Sequence, residues 1–215
     1  MCAAWVLTVS AQKQTADVNR SIENIRKEYQ AVHDWIARMM PNEEGATDYP
    51  PEYYDLQVEQ NLPGTGPHHE RHRMFYCEQE QDEDDEYDPF PAHYLRFATA
   101  KYNFAAREFY EEYLYNEKGQ VMFIYAITPD VEDATINPYE LRLWFDGSRL
   151  LRFTVKKAED ALDDINIATL QKTPFKEVYS GTAIPAIYQR EAQRVQSRAV
   201  RFLSLFESID ENTYR

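Results

Sequence analysis

Five consecutive residues, His68-His69-Glu70-Arg71-His72, form the densest set of metal-ligating side chains in the sequence. Side chains alternate across an extended segment, so His68, Glu70 and His72 would project to one side of a strand. Two imidazoles and a carboxylate so placed form a facial ligand set for Zn²⁺. In a helix His68 and His72 would instead stand one turn apart. The spacing differs from H-E-x-x-H, because one residue rather than two separates Glu70 from His72. Arg71 and Arg73 also bring positive charge to the same arm. The competing reading is a polar, solvated hairpin arm whose imidazoles titrate near neutral pH.

A second cluster follows at residues 78–88, where Glu78, Glu80, Asp82, Glu83, Asp84, Asp85, Glu86 and Asp88 stand together without a base. Hard oxygen ligands suit Ca²⁺. The run lacks the D-x-[DN]-x-[DN]-G spacing, however, and a block of like charge ordinarily forms a solvated loop. No cofactor is expected, and Zn²⁺ and Ca²⁺ are the ions these two clusters would take. Nucleophile patterns are weaker. There is no G-x-S-x-G, and Ser180-Gly181 has no partner motif. Cys77 lies five residues from His72, which on a strand places the two on opposite faces, so the thiol reads as a small buried apolar group. With 37 acidic residues, no pair suited to glycoside hydrolysis stands out by spacing.

The bulk composition excludes further classes. Six Gly, with neither G-x-G-x-x-G nor a P-loop, remove the Gly-rich nucleotide sites. The formal charge of -14 repels nucleic-acid phosphates and anionic lipid surfaces. Much of that acidity is local, since residues 78–88 supply eight of the negative charges. Tyr49, Tyr53, Tyr54, Tyr87, Phe90 and Tyr94 gather around the loops beside the first hairpin. Exposed there, such rings would stack on a glycan or grip a partner protein. Turned inward, they would fill the sheet face or seal its edge.

The elements that must carry these residues read as α+β. Over residues 15–40, Val18, Ile22, Ile25, Tyr29, Val32, Ile36 and Met39 recur at alternating spacings of four and three, an amphipathic helix stopped by Pro41. Packing on a sheet, rather than a coiled coil, is the expected use of that stripe. Extended segments follow at 53–60, 71–78, 93–101, 107–115, 120–128, 139–146 and 149–156. Leu95, Phe97 and Thr99 are expected on one side, and Leu141, Leu143 and Phe145 opposite Leu151, Phe153 and Val155. The run 120–128 is apolar throughout, as in a strand covered on both faces. Gly119 and Asp146-Gly147 mark hairpin turns. Residues 158–173 form a polar connection with room for a short helix. A second amphipathic helix spans 185–209, with Val195, Ala199, Phe202, Phe206 and Ile209 on one stripe. The expectation is an antiparallel meander of about six strands in one domain, residues 12–215, with both helices covering one face.

Residues 1–11 are uncharged and mostly apolar, and too short to span a bilayer. Val9 and Ala11 stand at -3 and -1 before Gln12, as in a signal-peptide cleavage site. The reading is a signal-peptide remnant and an exported product, periplasmic or extracellular, with no membrane insertion after processing. The alternative is a buried or frayed N-terminal segment.

Two hairpin sequences resemble a known unit. Tyr113-Leu-Tyr115-Asn-Glu-Lys-Gly119-Gln-Val121 is similar to the Y-x-Y-[DN]-x-x-G-x-[LV] hairpin of YD and MORN-type repeats. Leu143-Trp-Phe145-Asp146-Gly-Ser-Arg-Leu150 resembles it with a shorter turn. The resemblance covers about twenty residues without a fixed period. It implies a strand-turn-strand scaffold of the kind found in exported Gram-negative envelope proteins, and implies no catalytic residues. The functional expectation is a non-enzymatic exported protein that binds an envelope protein or glycan, with the loops of residues 42–91 as the contact region. A hydrolase of envelope or dietary polymer and a metal-binding module at 68–72 are the alternatives.

Overall fold

The computed structural model describes residues 3–39, 52–79, 91–105, 107–128, 138–159, 166–170 and 172–214. Helix α1 (Ala3–Met39) leads into eight strands, β1 (Tyr53–Leu62), β2 (Gly66–Glu78), β3 (His93–Phe104), β4 (Arg107–Tyr115), β5 (Val121–Thr128), β6 (Tyr139–Asp146), β7 (Arg149–Ala158) and β8 (Phe175–Gly181). A single turn of helix, α2 (Ile167–Leu170), separates β7 from β8, and α3 (Ala186–Tyr214) ends the described chain. All eight strands pair antiparallel in sequence order, so the sheet is an open meander with β1 and β8 as its edges. Among the described residues, no helix is long and apolar enough to cross a membrane.

Several sequence expectations are corrected. The sheet has eight strands rather than about six. The run 175–181 carries no strand signal because β8 is a short, largely exposed edge strand without apolar alternation. Strand β2 begins at Gly66, so the histidine cluster lies within a strand, and the backbone of α1 is helical from Ala3 instead of from Thr15.

The two long helices cover opposite faces, not one. On one face Ile22, Ile25 and Val32 of α1 pack with Phe75, Phe97, Leu114, Phe123 and Trp144. On the other, Ala192, Val195, Ala199, Phe202 and Phe206 of α3 pack with Met74, Tyr113, Tyr115, Ile124, Leu141, Leu143 and Phe153. Adjacent residues of β4, β5 and β6 are apolar on both sides of the pleat. Water would meet one apolar layer if both helices sat together, and that surface demands a second cover.

Bulges refine the faces. The β2–β3 register shifts between Phe75 and Tyr76, pairing Phe75 with Phe97 but Tyr76 with Leu95. An extra residue in one strand reverses the alternation beyond it. Leu95 therefore joins the α3 layer and Phe97 the α1 layer, against the expectation of one shared side. A similar shift between Trp144 and Phe145 sends Leu151 to the α1 layer, so that Phe145 faces Leu150. Gly119 (φ 69°) and Gly147 (φ 57°) supply the left-handed residues at the β4–β5 and β6–β7 turns.

A buried carboxylate ties α3 to the sheet. Glu111 of β4 has no exposed surface, and its oxygens accept from Tyr102 Oη at 2.7 Å and from Tyr113 Oη. Arg194 Nη1 approaches one oxygen to 2.6 Å and Arg198 Nε the other to 3.4 Å. The Arg198 guanidinium also lies 4.3 Å from the Tyr102 ring centroid. Breaking one side of such a group leaves buried charge uncompensated. Glu111→Gln should cost about 3 kcal/mol in urea unfolding. Glu23→Gln, which loosens an exposed pair with Arg26, should cost under about 0.5 kcal/mol.

Candidate functional site

The next residue along β4 points the other way. Glu112 projects into the α1 layer, where it is 5% exposed. Tyr29 and His33, one turn apart on α1, reach it from above: Tyr29 Oη donates to Oε2, and His33 Nε2 lies 3.2 Å from the same oxygen. Tyr110, two residues earlier on β4, donates to Oε1 at 2.6 Å. Three donors thus converge on one carboxylate. They do so because the helix spacing of four and the strand spacing of two set these side chains over each other.

Around this group α1 and the sheet leave a cleft of about 480 Å³, within the span of small-molecule sites. Ile25, Arg26, Tyr29 and His33 line it from the helix. Tyr110, Glu112, Phe123, Tyr125, Ile127, Arg142 and Trp144 line it from alternate positions of β4, β5 and β6. Leu170 of α2 packs on Ile127 beside it. Arg142 sits 5.6 Å from the Tyr125 ring centroid and Arg26 6.0 Å from that of Trp144. Arg142 Nε lies 2.7 Å from Oε1 of the buried Glu140, off the line of a hydrogen bond, and Lys156 Nζ lies 3.8 Å from that oxygen.

The electrostatics follow from burial. Desolvation first, and the Glu112 charge second, push the Tyr29 and Tyr110 hydroxyls well above the usual phenol range, so both remain neutral donors. Burial and the Glu140 charge do the same to Tyr125. The hydrogen bond to Glu112 outweighs burial at His33 and raises its pKa, favouring the imidazolium. The cleft therefore holds a carboxylate contacted by an imidazole and two neutral phenols, set among apolar rings.

The sequence-derived metal set is brought together, but around a different cation. His68, Glu70 and His72 share the α3 face of β2, with His68 Nε2 3.5 Å from Glu70 Oε2 and His72 Nε2 2.7 Å from Oε1. His68 Nδ1 donates to the Asn103 carbonyl at 2.6 Å. Arg198 Nη1 lies 2.7 Å from the same Oε1, so a guanidinium stands beside the carboxylate where an ion would bind. Among the described residues, no group of three or more His, Cys, Asp or Glu is arranged to hold a metal ion. Contact with His72, then the charges of Arg198 and His72, holds the Glu70 carboxyl down at about 2 against the opposing effect of burial.

The aromatic set does not form one patch. Tyr53 packs in the α1 layer with its ring 5.2 Å from Phe75. Tyr54 packs in the α3 layer, stacked 4.9 Å from Tyr76, and donates to Asp210 at 2.9 Å. Tyr94 is half-buried against Cys77, and burial raises its hydroxyl to about 12. Cys77 is itself half-buried rather than enclosed, with its thiol pKa raised by burial. Tyr49, Tyr87, Phe90 and the acidic run from residue 80 onward lie outside the described residues.

Sequence patterning marks Ile25 and Tyr29 as packing positions of α1 and none of the cleft residues as a site. The available signal was Glu111-Glu112 inside the aromatic strand 107–115, since two acids midway along a buried strand require partners. His33, one turn after Tyr29 on the apolar stripe of α1, was the second signal.

Two titrations check these assignments. The NMR titration of His33 should have its midpoint above 6.5 and return towards that value in Glu112→Gln. Its stabilising contribution is complete below the unfolded pKa and fades as pH rises through the folded one. Glu70 has the opposite sign, contributing fully above about 4.5 and losing its effect as pH falls towards 2. Glu70→Gln should therefore cost about 3 kcal/mol at neutral pH. The gap from the native chain, read by denaturant unfolding, should narrow steadily below pH 4.5.

No family model matches the chain, and no curated protein and no solved structure is similar to it.

Proposed function

We propose that this is a non-enzymatic exported protein that binds a component of the cell envelope, and that it holds that component in the cleft between α1 and the sheet. The observation that carries the reading is the state of Glu112. A hydrolytic carboxylate must be free to give or take a proton at the substrate. Glu112 is instead engaged by Tyr29, Tyr110 and His33. Beside it Tyr125 is partly exposed over the buried rings of Phe123 and Trp144, with no nucleophile among them. Rigid aromatic walls with a few fixed polar groups favour recognition of a ring-bearing ligand such as a glycan unit. Export is supported by the apolar, uncharged run of residues 1–11, with Val9 and Ala11 before Gln12.

The cleft carries its own reporter, because Trp144 forms part of the wall. Solubilised envelope fractions, glycan and protein separately, should change the tryptophan emission of the full chain, and the change should vanish in Trp144→Phe. A Trp144 signal indifferent to both fractions would overturn the reading.

A further inference from the structure

The cleft gathers cationic side chains in an acidic molecule. The chain carries a formal -14, yet Arg26, Arg142 and His33 line the cleft beside Glu112, with Glu140 behind Arg142. Glu112 is already occupied by internal donors, so it offers little to a ligand cation. The guanidinium groups are less committed. Arg26 is exposed, and its nearest carboxylate, Glu23, is 3.9 Å away, beyond hydrogen-bond reach. Arg142 meets Glu140 with Nε at 2.7 Å. Among the described residues the amino nitrogens of both arginines make no hydrogen bond. Each guanidinium lies over an aromatic ring, Trp144 for Arg26 and Tyr125 for Arg142. That placement holds a planar fork beside a flat apolar wall.

We propose that the cleft binds a carboxylate carried on a ring, with the anion taken by Arg26 and Arg142 and the ring lying against the partly exposed Tyr125. This rests on the cleft being a binding site, as proposed above. A guanidinium fork matches a carboxylate in two parallel hydrogen bonds, which a neutral hydroxyl cannot reproduce. The surrounding negative charge of the protein repels anions at long range. Recognition therefore depends on direct contact with the two arginines and not on electrostatic steering. Two sources share this chemistry, a uronic-acid residue of a glycan and an aromatic acid.

The test titrates the full chain with glucuronate, benzoate and glucose, following Trp144 emission. At least one of the two acids should bind and glucose should not. A response to glucuronate alone identifies a sugar acid as the source, and a response to benzoate alone an aromatic acid. Arg142→Gln should weaken the bound acid about tenfold or more. Arg26→Gln, at an exposed position where the fold is not at stake, should weaken it in the same direction. If the envelope glycan fraction or glucose alters Trp144 emission while neither acid does, the cleft binds a neutral ligand and this inference fails alone. Acid binding indifferent to both arginine substitutions also overturns it. If no ligand or fraction moves the signal, the binding reading falls with it.

Discussion

The architecture turns on two consecutive carboxylates at the centre of an otherwise apolar sheet. Successive residues of a strand face opposite ways, so Glu111 and Glu112 place one negative charge on each side of β4. A buried charge is tolerable only with partners. Those partners cannot come from the sheet alone, because Tyr102, Tyr110 and Tyr113 supply hydrogen bonds but no counter-charge. The counter-charge comes from the helices: Arg194 and Arg198 of α3 on one side, and His33 of α1 on the other. Each helix is thereby fixed in register as well as in position. Apolar packing alone would permit sliding along the sheet.

The two sides use that constraint differently. Under α3 the space around Glu111 is closed by Tyr102, Tyr113 and two guanidinium groups. Under α1 the partners are two phenols and an imidazole, and Glu112 stands at the wall of a cleft. Local dielectric differs accordingly, since His33 is half-exposed while Glu111 is fully buried. Both networks restrain a helix, and Glu112 itself lines a cleft beside its own.

Much of this fold was legible in the sequence. The α1 stripe of Val18, Ile22, Ile25, Tyr29, Val32 and Ile36 packs on the sheet as its period predicts. The α3 stripe does likewise, and seven of the eight strands were located. Hairpin turns at Gly119 and Gly147 were visible because positive φ leaves a residue signature. What stayed hidden was non-local. The bulges that separate Leu95 from Phe97 and move Leu151 depend on cross-strand pairing, which one-dimensional alternation does not encode. The placement of helices on opposite faces depended on weighing both sides of every strand at once. The cleft was least visible, since Tyr29, His33, Glu112, Arg142 and Trp144 come from three separate stretches of chain. The conspicuous local cluster of His68, Glu70 and His72 drew attention because its members are adjacent, and adjacency says nothing about the Arg198 that meets them.

The unbroken strand order also has a consequence for how the molecule is made. Each of the eight strands pairs only with its neighbours in sequence, so hairpins can form one after another as the chain emerges. The α3 layer is different, because its cover follows all eight strands. Until residues 186–214 are present, Glu111 has no arginine and Tyr113, Ile124 and Phe153 have no roof. A chain halted before that helix would hold a nearly complete sheet that cannot become a stable protein. Helix α3 thus couples closure of this face to the strands that precede it in the chain.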